Sequence, residues 1–386
     1  MFRKMPFLLL ALMGLIGALH RLIPEEIQSI FYAMSLSIKS LILFVLPAII
    51  FGLIFKTIAG FAKGASKLIF TLLAAILTSN FLSTMTSYFV GRLAYKCDLS
   101  MSFPESSSQL LSAWNFHLPQ WLGNDQAMLG GALLGLLFGV FKPIWAAHAS
   151  AYIDRIVGLV LKGLLFVIPF FIAGFTIKMF HDQMMSQILR NYGVVFALTA
   201  LSLSFYLALV YVIAGRGEQM SPIERLKNML PAAIAGFGSM SSAAAMPLTL
   251  LGVGKNARHP ELARSIVPAS VNVHLMGDCF AIPIFAFAVL KSFGTPEPEF
   301  ISYLTFASYF VLAKFSVAAV PGGGILVMLP ILEKYLGFDP VMLSLITALY
   351  ILFDPIITSA NILGNGGFAL ALSRLPWLRP KVLEPQ

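Results

Sequence analysis

Three ionisable side chains, Asp278, Lys314 and Asp354, lie inside long apolar segments in the last third of this chain, each beside a helix breaker. Gly277 precedes the first, Pro321-Gly322-Gly323-Gly324 follows the second, and Pro355 follows the third. A charge at bilayer depth costs roughly 2.5–3.5 kcal/mol even on lenient insertion scales, so such residues are rarely idle. Helix breaks at that depth need protein or a water-filled cavity to satisfy the freed backbone groups. Charges and breaks together point to a binding site near the membrane midplane, as in secondary transporters. Asp354 is the leading candidate: it would pair with a substrate ammonium or a cation, or else partner a buried lysine. Asn361 falls two helical turns further on the same face, and its amide can donate to a carboxylate and accept from an ammonium. The two suit a zwitterion such as an amino acid better than a sugar or a lipid. Ser241 and Ser242 offer hydroxyls and backbone N–H groups at a hairpin tip, a cradle for a carboxylate.

The elements that must hold these residues are membrane helices. The chain is 58% hydrophobic and 11% charged, against about 45–50% and 25% in soluble globular proteins. Apolar runs recur that are long enough to span ~30 Å of hydrocarbon, and the alternating signature of an outer-membrane barrel is absent. The net charge of +9 is a topology signal rather than a nucleic-acid footprint. With the N-terminus inside, the inter-span segments hold 16 basic and 5 acidic residues inside, against 7 and 10 outside. That is the positive-inside bias, and it places both termini in the cytoplasm. Phe7 to Leu19 resembles a signal-peptide core, but without a clear small-x-small cleavage site it reads as a retained first helix. Lys39 and Lys162 are expected to snorkel to an interface. Cys97 and Cys279 form no metal spacing, and no metal or other cofactor is expected.

Six spans are expected in the first half, at about 5–23, 34–61, 68–95, 127–147, 155–180 and 191–215. A polar, Ser-rich external stretch, Asp98 to Asp125, separates the third from the fourth. In the second half, segment 227–254 carries Gly238 to Pro247 at its middle, and 265–290 breaks around Asn272 to Asp278. Segment 301–336 carries Pro321 to Gly324 at its middle, and 341–373 is expected to break from Asp354 to Gly367. An interrupted hairpin followed by a broken helix thus occurs twice, which is the pattern that marks transporter sites.

Ser241-Ser242 with Met246-Pro247, the break from Pro268 to Asp278, Pro321 to Gly324, and Asp354 to Asn365 follow one order and spacing. In these motifs the chain resembles the glutamate transporter family, the dicarboxylate/amino-acid:cation symporters. The resemblance implies an all-α polytopic fold of eight transmembrane helices plus two re-entrant helical hairpins, about 227–254 and 301–336. It implies a homotrimer in the plasma (bacterial inner) membrane working by an elevator movement. Within one membrane unit, 1–386, the scaffold would be mainly 1–61 and 127–190, and the transport domain mainly 68–95 and 191–373. On the matching positions, Ser241, Ser242, Gly323, Asp354, Ile357, Thr358 and Asn361 would bind substrate.

The departures from the family are equally informative. Where its members read Asn-Met-Asp-Gly-Thr, this chain reads His274-Leu275-Met276-Gly277-Asp278. A sodium-binding aspartate thereby becomes Met276, and a shared asparagine becomes His274. The final helix has Asn365 for a second sodium-binding aspartate, and Lys314 stands for a serine near a sodium site. Thr78 and Ser79 match a family pair in the third helix. Losing two carboxylates and gaining an ammonium removes the electrostatic reason to bind sodium. The arginine that holds an acidic substrate's side chain falls on Ile357, where an unpaired carboxylate would be costly.

These residues give the expectation of a transporter for a neutral amino acid or similar zwitterion, not coupled to sodium. Three rivals stand beside it. The first is a proton-coupled symporter using His274 or Asp278, although His274 could be a neutral core histidine and Asp278 a salt-bridge partner of Lys314. The second is a receptor or scaffold that kept the fold and lost turnover. The third is a membrane enzyme, for which no nucleophile–base pair, metal spacing or phosphate loop stands out.

Overall fold

The structure, a computed structural model, describes residues 5–62, 67–97, 109–119, 121–216, 219–317 and 323–378. Every regular element among them is helical. The order is α1 (Met5–Leu19), α2 (Glu25–Ala62), α3 (Lys67–Tyr95), α4 (Asn124–Phe141), α5 (Pro143–His181), α6 (Met184–Ala214) and α7 (Pro222–Ser239). There follow α8 (Ser242–Asn256), α9 (Pro260–Ser270), α10 (Met276–Ser292), α11 (Phe300–Ala313), α12 (Gly323–Leu326), α13 (Leu329–Leu336) and α14 (Pro340–Ser373). Four of the described helical stretches are long and apolar enough to cross a membrane: Glu25–Lys56, Phe70–Tyr95, Tyr192–Ala214 and Pro340–Ser373.

The helices fall into two packing groups. α2 lies along α4 and α5, with α1 against α5, while α10 packs on α3, α6 and α14, and α14 on α7. Glycines set the close approaches in the first group. Cβ atoms at Gly131 and Gly135 would come within 2.7 Å of the Phe51 and Phe55 carbonyls, so only the small-xxx-small spacing lets α4 reach the α2 backbone. α10 is buried on every side from Met276 to Leu290, as expected of a helix at the centre of a core that is apolar all round but for Asp278. α7 instead buries Arg225, Met229, Ala232, Ala233 and Gly236, one face at helical period.

Among the described residues 109–119 and 121 there is no helix, and this stretch is strapped along α2. Ala113 donates its N–H to Ser29, Trp114 its indole N–H to Ser37 Oγ, and Trp121 its own to the Phe44 carbonyl. At one end, Asp182 accepts from the Leu110 N–H at 2.9 Å while Lys178 donates to the Leu110 carbonyl at 3.1 Å. The first part of the Ser-rich stretch, 98–108, lies outside the described residues.

Three expectations are corrected. The fourth and fifth spans, expected at 127–147 and 155–180, meet at Lys142–Pro143, so α5 begins twelve residues before the expected start. Pro143 can start a helix because its missing N–H would have been unbonded there. α14 does not break between Asp354 and Gly367 but runs unbroken to Ser373. Its glycines serve contact: a Cβ at Gly366 would lie 2.6 Å from both Tyr211 Oη and the Met229 methyl, and one at Gly364 3.0 Å from Met276. Lys39 does not snorkel free. It is buried, near enough to Glu333 and Asp339 for their charges to act on it. The Lys162 side chain lies outside the description.

Candidate functional site

Four pieces of chain converge on one partly open cavity. Its walls are Met240, Ser241 and Ser242 from the α7–α8 turn, and Val271, Asn272, Leu275 and Asp278 from the α9–α10 break. Val317 follows α11 and Gly324 lies in α12, on either side of residues 318–322, which lie outside the described residues, and Tyr350, Asp354, Thr358 and Asn361 come from one face of α14. No lysine, arginine or histidine is among these residues.

The α7–α8 turn is made by Met240 in the left-handed conformation (φ 47°, ψ 36°), followed by Ser241 as the N-cap of α8. Ser241 Oγ accepts from the Ala244 N–H at 3.2 Å, the usual use of a capping serine. That leaves the Ser242 hydroxyl and the first N–H groups of α8 to face the cavity, at the positive end of the helix.

The break between α9 and α10 spans Val271–Leu275, and neutral amides satisfy its backbone. Asn80 of α3 donates to the Val273 carbonyl at 2.8 Å and accepts from the Leu275 N–H at 3.2 Å. Asn365 of α14 donates to the His274 carbonyl at 3.3 Å. Asn361 Oδ1 accepts from the Gly277 N–H at 2.8 Å and the Asp278 N–H at 3.4 Å. The asparagine oxygen thus caps α10, and its NH2 is the end left for a ligand.

His274 is fully buried with a partner at each ring nitrogen: Ser79 Oγ at 2.8 Å and Asn365 Oδ1 at 3.2 Å. Its ring stacks on Phe368 at 4.1 Å. Because the Asn365 oxygen can only accept, Nδ1 carries a proton, and Nε2 is free to accept from the Ser79 hydroxyl. The ring thus ties α3 to α14. His274→Ala should therefore cost about 2–4 kcal/mol through a cavity and the loss of the bonds to Ser79 and Asn365, read as a lowered unfolding temperature.

Asp354 Oδ1 accepts from Thr358 Oγ1 at 3.0 Å. Asp278 Oδ1 accepts from Tyr350 Oη at 2.8 Å, and its Oδ2 lies 3.7 Å from the Lys314 ammonium. A Cβ on Gly324 would sit 2.9 and 3.1 Å from the Asp278 oxygens and 2.4 Å from Tyr350 Oη.

The sequence-derived residues thus divide. Ser241, Ser242, Asp278, Asp354, Thr358 and Asn361 line the cavity; His274, Met276 and Asn365 form a buried layer behind the break. Gly323 is buried beside the cavity, and its neighbour Gly324 lines it. Ile357 is completely buried outside the lining, its carbonyl against Gly277. Pro321 and Gly322 lie outside the described residues. Tyr350 and Asn80 were not anticipated. Tyr350 had a readable signal, since it sits one turn before Asp354 on the face that also carries Thr358 and Asn361. Asn80 is remote in sequence and carried none.

A family model described as the sodium:dicarboxylate symporter family matches residues 145–375 of this chain, from the first turn of α5 to the end of α14. Comparison with curated proteins returned no match.

Proposed function

The chain belongs to the sodium:dicarboxylate symporter family, and on that premise we propose that this secondary transporter moves a neutral amino acid or similar zwitterion without sodium coupling. The observation that carries the reading is a cavity with Asp354 in its wall and no cationic side chain among its lining residues. A substrate ammonium pairs with Asp354 and Thr358. A single carboxylate is met by the Asn361 NH2 and the first turn of α8, while Met240, Val271, Leu275 and Val317 take an apolar side chain. A second carboxylate would enter with no positive partner, a costly burial.

Sodium independence rests on the layer behind the break. The Val273 and His274 carbonyls are held by asparagine N–H donors, Met276 packs its thioether on Gly364, and Asn365 is neutral. A cation there would compete with amide donors for the Val273 and His274 carbonyls and would meet no carboxylate at Met276 or Asn365. Proton coupling is disfavoured because His274 is satisfied as a neutral ring and Asp278 already faces an ammonium.

The elevator movement, the homotrimer and the two hairpins as re-entrant elements belong to the same proposal. Its support is the division into two packing groups, with α1, α2, α4 and α5 in one and α3 with α6–α14 in the other. A mostly apolar cavity separates α5 from α14 between Phe171, Phe175, Ser344 and Ile351.

Uptake into proteoliposomes tests the function. Neutral amino acids should accumulate in exchange for internal substrate, with the rate unchanged when sodium is replaced by choline. Dependence on a sodium gradient, or preference for aspartate over its neutral analogues, would refute the reading.

A further inference from the structure

The Asp278 carboxylate is approached by both sides of one hairpin. Before the turn, Lys314 lies 3.7 Å from Oδ2; after it, the Gly324 backbone comes so close that a Cβ would touch both oxygens. Asp278 itself stands in the first turn of α10, and Tyr350 of α14 fixes its other oxygen. Lys314 is completely buried. Its Nζ has no hydrogen-bond acceptor among the described residues and rests 4.6 Å from the centre of the Phe310 ring.

An ammonium so placed does little as a hydrogen-bond donor and much as a charge. A buried carboxylate without a counter-charge is strongly unfavourable, and a ring face adds attraction for a desolvated cation. An ammonium with no hydrogen bond among the described residues, set between a carboxylate and a ring face, makes a pocket of cation-binding character, filled by a cation attached to the chain.

We propose that Lys314 is a built-in monovalent cation for Asp278, which seats the α11–α12 hairpin on α10 with no free ion required. The inference rests on the transporter reading above, because it treats this hairpin as a wall of the substrate cavity. It differs from an ordinary ion pair in one respect: removing the ammonium should open a site that a free ion can fill. Asp278, Tyr350 and the backbone near Gly324 would then offer oxygen to a small cation, for which hard oxygen donors are suited.

The test uses purified full-length protein in choline, sodium, lithium or potassium chloride at equal ionic strength. Wild-type unfolding temperature should be the same in all four. Lys314→Ser should unfold roughly 10 °C lower in choline, and sodium or lithium should recover most of that loss saturably. In case Lys314→Ser fails to fold, the double variant Lys314→Met with Asp278→Asn removes both charges and leaves none unpaired. It should fold, respond to no cation, and let a thiol reagent reach Val317→Cys, in a Cys97→Ser background, several-fold faster than when the pair is intact.

The proposal is overturned if Lys314→Ser is as stable as wild type in choline. It is equally overturned if no cation raises its unfolding temperature more than that of wild type, or if the double variant keeps Val317→Cys as protected as the intact pair does. No readout involves substrate. Failure here leaves the transport reading standing, and failure to find uptake leaves this result standing.

Discussion

Replacing Asp354 with asparagine should weaken binding of a neutral amino acid by about 100-fold or more, the scale of removing one partner from a buried charge pair. The carboxylate is almost fully buried in the middle of α14 and lines the cavity beside Thr358, whose hydroxyl it accepts. Asparagine keeps the shape and an acceptor oxygen for Thr358, but loses the charge that compensates a substrate ammonium. Thr358→Val should cost less, about 0.5–1.5 kcal/mol, the net scale of one hydrogen bond. Binding by calorimetry, with unfolding temperature as the folding control, separates these effects. If Asp354→Asn binds normally, the ammonium end of the site lies elsewhere.

Gly277→Ala should be among the most damaging single-methyl additions in the chain, with a loss of about 1–3 kcal/mol or more from overpacking. The new Cβ would sit 2.4 Å from the Ile357 carbonyl and 3.0 Å from Asn361 Oδ1. The first obstacle is backbone in the centre of a continuous helix, so no rotamer change relieves it. α10 and α14 would have to part, stretching the bonds through which Asn361 caps α10. A lower unfolding temperature should therefore come with weaker substrate binding. Gly193→Ala on α6, where nothing lies within 4 Å of the added atom, should be neutral or slightly stabilising through helix propensity. Equal effects at both positions would mean that the approach of α10 to α14 is not tight.

Most of the polar site was legible because its chemistry stands out against an apolar chain. Asp278, Lys314 and Asp354 are conspicuous in any hydropathy plot, and the spacing from Asp354 to Asn361 follows from helical period. The apolar walls were not legible: Val271, Leu275 and Val317 are of types repeated throughout the chain, and only tertiary structure selects them. The unbroken course of α14 was misread for a related reason. Pro355, Gly364, Gly366 and Gly367 look like helix breakers locally, but the glycines are there because Met276, Met229, Tyr211 and Val210 press against the helix. In a membrane helix the same residue types serve breaks and close packing. Ile357 was expected at the substrate's side-chain end because the site was assigned by matching positions. It is instead completely buried outside the lining, at the border of that face, with its carbonyl against Gly277 of α10.

Asn361 contributes to two structures at once. Its oxygen holds the first N–H groups of α10, while the residue itself lines the cavity. A ligand carboxylate accepting from its NH2 polarises the amide and strengthens the bonds its oxygen already accepts. Ligand affinity and the anchorage of α10 are then two readings of one coupling free energy, and by linkage each must change the other by the same factor. Selection for tighter or looser binding at this residue therefore also resets how firmly the central helix is held.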